Sequence, residues 1–115
     1  MISDDLSRIM KSTGSDVSDK YEENILPTEF ALHQNYPNPF NPATKISFDL
    51  PQDSRVNLVV YDLLGREVKR LVNNEFKVAG TYTYDFNGSS LASGIYFYRF
   101  ETKWFTHTRR MMLVK

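Results

Sequence analysis

Two histidines, His33 and His107, are the only imidazoles in this 115-residue chain, and it contains no cysteine. Imidazole and thiolate are the side chains most often used for proton transfer, metal ligation and covalent catalysis near neutral pH. Neither histidine belongs to an H-E-x-x-H run or to a close His/carboxylate spacing that would build a metal site. No G-x-S-x-G sets a serine on a nucleophile elbow; Ser93, just before Gly94, reads as turn chemistry. Asp49, Asp53, Asp62, Glu67, Glu75, Asp85 and Glu101 are scattered among strand edges and turns. That scatter serves solubility and disfavours a glycosidase-type carboxylate pair. No glycine-rich phosphate loop is present. A non-catalytic protein is expected, with no cofactor and no metal. Tyr82, Tyr84, Tyr96, Tyr98 and Trp104 could supply stacking rings to a sugar, which makes a carbohydrate-binding module one alternative.

The elements that must carry these residues read as strands. Eight Phe, seven Tyr and one Trp make the chain 14% aromatic, a composition suited to pleated, half-buried surfaces. All five prolines lie before residue 52, leaving the remainder free of the residue that interrupts central strands. Lys45–Leu50 alternates Ile46, Phe48 and Leu50 with polar residues, and Val56–Tyr61 is nearly continuous in apolar residues. Asp62-Leu63-Leu64-Gly65 is a turn. Its Asp side chain opens the bend and Gly65 takes the left-handed position of a bulge. Arg66–Val72 returns as a strand. Tyr82, Tyr84 and Phe86 alternate after Gly80, Asn87-Gly88 begins a turn, and Ile95–Phe100 puts Tyr96, Tyr98 and Phe100 on one face. Phe105–Val114 is the last strand. Six or seven strands at this spacing predict an all-β, immunoglobulin-like antiparallel β-sandwich.

Charge separates the chain into two parts. Residues 1–29 hold seven acids and three bases, a net of −4, and residues 30–115 balance this with +4. The first part has no sustained period and is rich in Ser and Asp, so a disordered or partly helical linker is expected over 1–29, with a helical turn around Leu6–Met10. Acids stand where a secretory signal would need bases. Zero net charge gives no reason to expect a nucleic-acid partner. No apolar run approaches the roughly 18–20 residues of a membrane helix, so the chain is not expected to span a membrane.

Between linker and strands lies Gln34-Asn35-Tyr36-Pro37-Asn38-Pro39-Phe40-Asn41-Pro42-Ala43-Thr44. Its prolines fix φ and push the residues before them out of the helical region. Asn38 and Asn41 can cap turns, and Tyr36 and Phe40, four apart, can clamp the bend against a sheet. The segment is expected to be ordered without helix or sheet.

Asn35–Pro42, followed by Thr44-Lys45-Ile46-Ser47-Phe48-Asp49-Leu50-Pro51, resembles the start of the type A C-terminal sorting domain of type IX secretion cargo. Val59-Val60-Tyr61-Asp62-Leu63-Leu64-Gly65-Arg66-Glu67-Val68 resembles that family's central hairpin, Leu91–Tyr98 its glycine-x-tyrosine strand, and Arg109–Lys115 its basic-apolar end. Arg109 and Arg110 stand where many members carry lysines. The resemblance covers residues 30–115. It implies an immunoglobulin-like domain at the C-terminus of an exported protein of Bacteroidetes or Chlorobi. Such a domain delivers its cargo through the periplasm and the outer-membrane translocon to the cell surface or beyond, and a sortase-type cysteine protease removes it there. The expected partners are the type IX translocon, that protease, and a cargo domain upstream in the same polypeptide. The missing signal peptide then implies that the chain is the C-terminal part of a longer protein, with Met1 not its native start. The residues expected to be recognised are Pro37, Asn38, Pro39, Gly94, Tyr96, Arg109, Arg110, Leu113, Val114 and Lys115, with the last strand offered at a sheet edge. The rival within the same fold is a structural scaffold domain similar to those of flagellar hook-capping proteins, which share a "PNPFNP" opening.

Overall fold

The computed structural model describes residues 26–115, so most of the 1–29 linker and the whole Leu6–Met10 turn lie outside the described residues. Seven strands follow one another: β1 (Ala31–Leu32), β2 (Ala43–Leu50), β3 (Ser54–Tyr61), β4 (Glu67–Lys77), β5 (Gly80–Asn87), β6 (Gly94–Glu101) and β7 (Thr106–Leu113). They form a three-stranded sheet in the order β1-β2-β5 and a four-stranded sheet in the order β4-β3-β6-β7. Every pairing is antiparallel. The chain therefore changes sheet after β2, β4 and β5, the Greek-key connectivity of an immunoglobulin-like sandwich. The short β1 completes the strand count. Two residues are too few to show a period in sequence.

Alternation decides which side chains meet between the sheets. Ile46, Phe48 and Leu50 of β2 face Val56, Leu58 and Val60 of β3, with Tyr96, Tyr98 and Phe100 of β6, and all are buried. Phe48 is the centre of an aromatic stack, its ring 4.6 Å from Phe100, 5.5 Å from Tyr82 and 5.9 Å from Tyr84. Each such ring contributes about 1.5–3 kcal/mol by leaving water, and the offset stacking adds to it. The Lys77 ammonium lies 5.0 Å from the Tyr82 ring and 5.5 Å from Tyr84. A hydrogen bond with the Tyr84 side chain is the main reason its pKa rises above the usual lysine value.

The β3–β4 hairpin closes as its sequence suggests. Gly65 has φ +85°, which a residue with a Cβ resists, and its amide donates to the Asp62 carbonyl at 3.0 Å. The Asp62 carboxylate accepts from the amides of Leu64 and Arg66 and from the Arg66 guanidinium, at 2.8–2.9 Å. The Arg66 amide is the chief cause of an Asp62 pKa below the ordinary carboxylate value. β4 itself runs further than the expected Arg66–Val72, continuing to Lys77 through irregularities in its pairing with β3. These shift the alternation, so that Leu71 and Val72, neighbours in sequence, both pack against the core. The Asn57 side chain supports the irregular stretch by accepting from the Asn74 amide and from Arg70.

Candidate recognition surface

The proline-rich segment is a strap laid along the last strand. From Phe30 to Phe40 it runs parallel to β7 and touches it repeatedly. The Phe30 ring stacks on Phe105 at 5.6 Å and on Trp104 at 6.2 Å. The Arg109 guanidinium donates to the Leu32 carbonyl. The Gln34 amide donates to the Arg110 carbonyl at 2.9 Å, and the Asn38 side-chain oxygen accepts from the Met112 amide at 3.0 Å. The Phe40 amide donates to Met112 and its carbonyl accepts from Val114. The edge of β7 over Arg110–Val114 is thus already satisfied from within the domain, and a partner strand could pair there only by displacing the strap. Of the two aromatic residues expected to clamp this bend, one does so. Phe40 is 1% exposed and meets Phe86 edge-on at 6.0 Å, whereas Tyr36 is 80% exposed and is held by backbone pairing with Lys45.

Most of the residues singled out in sequence gather at one end of the sandwich. Gly94 pairs with Leu113 and Tyr96 with Met111. Pro39 and Asn38 share a shallow cleft of about 280 Å³ with Ile95, Arg110 and Met112. The Lys115 ammonium donates to the Ser89 carbonyl at 2.7 Å, and its amide to the Ser93 hydroxyl. Two members of the set lie apart. Pro37 turns its carbonyl to Asn35 and Thr44 beside the three-stranded sheet, and Arg109 reaches back along the strap.

Burial sorts the group by what each residue can do. Tyr96 is 7% exposed and its hydroxyl donates to the Ala92 carbonyl at 2.7 Å, while Leu113 is 1% exposed. Both pack into this end of the fold and present little surface to solvent. Pro39, Arg110, Val114 and Lys115 are exposed. Gly94 has φ +152°, yet nothing lies within 4 Å of where a Cβ would stand. Its requirement is purely conformational. Gly94→Ala should therefore cost about 1–3 kcal/mol through backbone strain alone, read as a lower urea midpoint with an unchanged m-value.

Sequence reasoning missed the neighbours that complete this end. Leu63 and Leu64, at the tip of the β3–β4 hairpin, are 67% and 77% exposed and line a cleft of about 260 Å³ with Gly94 and Ile95. Met112, opposite Ile95 on the outer sheet face, is also exposed. The signal was available, since two large apolar residues occupy a turn where patterning calls for polar ones. Four of the rings considered for sugar stacking are otherwise engaged: Tyr96 and Tyr98 are buried, and Tyr82 and Tyr84 flank Phe48. Trp104 stacks on Phe30 with the Lys103 ammonium 5.7 Å from its ring and remains 54% exposed. Among the described residues, no cluster of three or more His, Asp or Glu could hold a metal ion. No helix there is long and apolar enough to cross a membrane.

A small immunoglobulin-like sandwich that gathers exposed apolar and cationic groups at one end is the class these features define. Residues 34–115 match the family described as the secretion system C-terminal sorting domain. The chain belongs to that family, the C-terminal sorting signals of type IX secretion. Its domain is accordingly a signal for export through that system, to the cell surface or outside. None of the curated proteins matches the chain.

Proposed function

We propose that this domain carries a cargo protein, attached upstream in the same polypeptide, through the periplasm and the type IX outer-membrane translocon, and that it performs no chemistry of its own. Residues 1–29 serve as the linker. A sortase-type cysteine protease cuts within this stretch once the cargo has crossed, its Ser- and Asp-rich sequence being of the kind that proteases nick most readily. Among the described residues, Phe30, stacked on Trp104 and Phe105, is the first anchored to the core, and the cut is placed before it. Pro39, Arg110, Val114 and Lys115 make the contacts with the machinery, and Gly94, Tyr96 and Leu113 shape the surface that bears them.

The observation that carries this reading is the convergence of strap, glycine corner and basic-apolar strand on one end of the fold. The test must leave the core intact. Removing Arg109–Lys115 would take away Met111 and Leu113, both buried, and would confuse sorting with folding. Arg110→Glu combined with Lys115→Glu alters only exposed groups, and surface changes of this kind usually stay within about 0.5 kcal/mol. The full chain is placed behind a Sec signal and a fluorescent cargo in a type IX-competent host. Surface cargo for the native sequence, and periplasmic cargo for the charge-reversed one at equal thermal stability, are expected. Equal periplasmic retention of both would return the domain to a scaffold role.

A further inference from the structure

The hairpin tip and the last strand form one continuous surface. Ile95 lines both the cleft beside Leu63 and Leu64 and the cleft beside Pro39 and Met112, so the two share a wall. The exposed leucines have no core neighbour to explain them, and the turn they occupy needs only the Asp62 carboxylate and the Gly65 backbone. Arg110 stands at the margin, in register with Phe97, and its guanidinium has no carboxylate partner among the described residues. The Lys115 ammonium is bound to the Ser89 carbonyl and, among the described residues, to no carboxylate. The nearby carboxylate, Asp62, is consumed by its own turn and by Arg66. The end therefore presents an apolar centre with unanswered positive charge beside it.

Resting on the sorting-signal reading, we infer that Leu63, Leu64, Ile95, Met112 and Arg110 are the seat of the secretion machinery's receptor, a folded protein with an apolar surface and a carboxylate placed opposite Arg110. Charge complementarity selects this occupant. A second copy would offer Arg110 no free carboxylate from this surface, since Asp62 is engaged by its own turn and by Arg66. A pair of leucines is a small apolar area for lasting membrane attachment. A protein interface instead needs few anchors, packed at its centre and rimmed by charge.

The probe is p-benzoylphenylalanine replacing Leu64 in the full chain fused to cargo in the exporting host, with replacement of Thr83 on the opposite sheet as the control. Illumination should join position 64, and not 83, to an outer-membrane component of the secretion system through a peptide containing Asp or Glu, and Arg110→Glu should abolish the adduct. Adducts with residues 1–25, with a second copy or with lipid would overturn the inference, as would equal labelling from position 83. In parallel, Leu63→Ser with Leu64→Ser should lower surface cargo about tenfold, as loss of interface anchors does, with unchanged melting. Full export of that variant beside an exported native fusion would sink this inference alone. Failure of the native fusion to be exported would remove the sorting reading and this inference with it.

Discussion

Phe40→Ala is expected to remove about 3–5 kcal/mol of folding stability, the usual cost of emptying a buried aromatic site. The ring is enclosed between the sheets against Phe86, and the surroundings are themselves sheet-bound and slow to collapse into the space. A domain of this size has only about 5–10 kcal/mol to lose, so the variant should sit close to its unfolding threshold. The damage should also be directional. Phe40 anchors the strap to β7 by donating its amide to the Met112 carbonyl and accepting from the Val114 amide, so exchange at the residue-40 and Val114 amides should accelerate most. Tyr36→Ala, four positions earlier, is the internal comparison. Tyr36 is exposed and should cost no more than about 0.5 kcal/mol. Urea unfolding followed through Trp104, the single tryptophan, measures both. A small effect at Phe40 would mean that the strap is held by its backbone bonds alone.

Tyr98→Phe should cost about 2–4 kcal/mol although it deletes one atom, because that atom serves two buried backbone groups. The Tyr98 hydroxyl donates to the His33 carbonyl at 2.7 Å and accepts from the Asn35 amide at 2.8 Å. Phenylalanine leaves both without a partner where the strap enters the fold. The hydroxyl also gives the effect a pH signature. Burial pushes its pKa up to about 12, against the opposing influence of the Asn35 amide and the Arg109 charge. A phenol whose folded pKa exceeds its unfolded value, about 10, favours the native state while protonated. That contribution is complete below pH 10 and is lost as the pH rises towards 12. Alkaline unfolding of the native protein should contain this component, and unfolding of Tyr98→Phe should lack it.

The strands were legible because their residues obey one period. Ile46, Phe48 and Leu50, or Tyr96, Tyr98 and Phe100, can satisfy alternation only by sharing a buried face. The Asp62–Gly65 turn was legible for an equally local reason, as its chemistry is complete within five residues. What failed to show in sequence depends on partners far along the chain. Ala31 and Leu32 form a strand only because Phe48 and Asp49 are there to pair with them. The difference between Tyr36 and Phe40 is set by which of the two meets Phe86, and the pattern of the strap itself says nothing of this. The bulged course of β4 beyond Val72 follows from an Asn57 side chain reaching across from the neighbouring strand. The residues proposed for recognition were singled out through resemblance alone. Their division into buried and exposed was not legible, because Tyr96 and Arg110 differ in exposure only once the sheets have closed.

The strap and the last strand lie at opposite ends of the domain, with contacts that span 74 to 77 residues. Synthesis delivers the strap early and its partner last. Until Met111 and Leu113 emerge, Phe40 has Phe86 on one side but lacks the last strand on the other, and the Met112 carbonyl cannot receive its amide, so the domain closes only once that strand has been made. Long-range closure of this kind is also slow relative to local hairpin formation. A message broken before Met111, or a chain clipped there, would yield a tag that cannot finish folding. The closed fold thereby certifies that the domain has been made through its last strand, before anything outside the molecule inspects it.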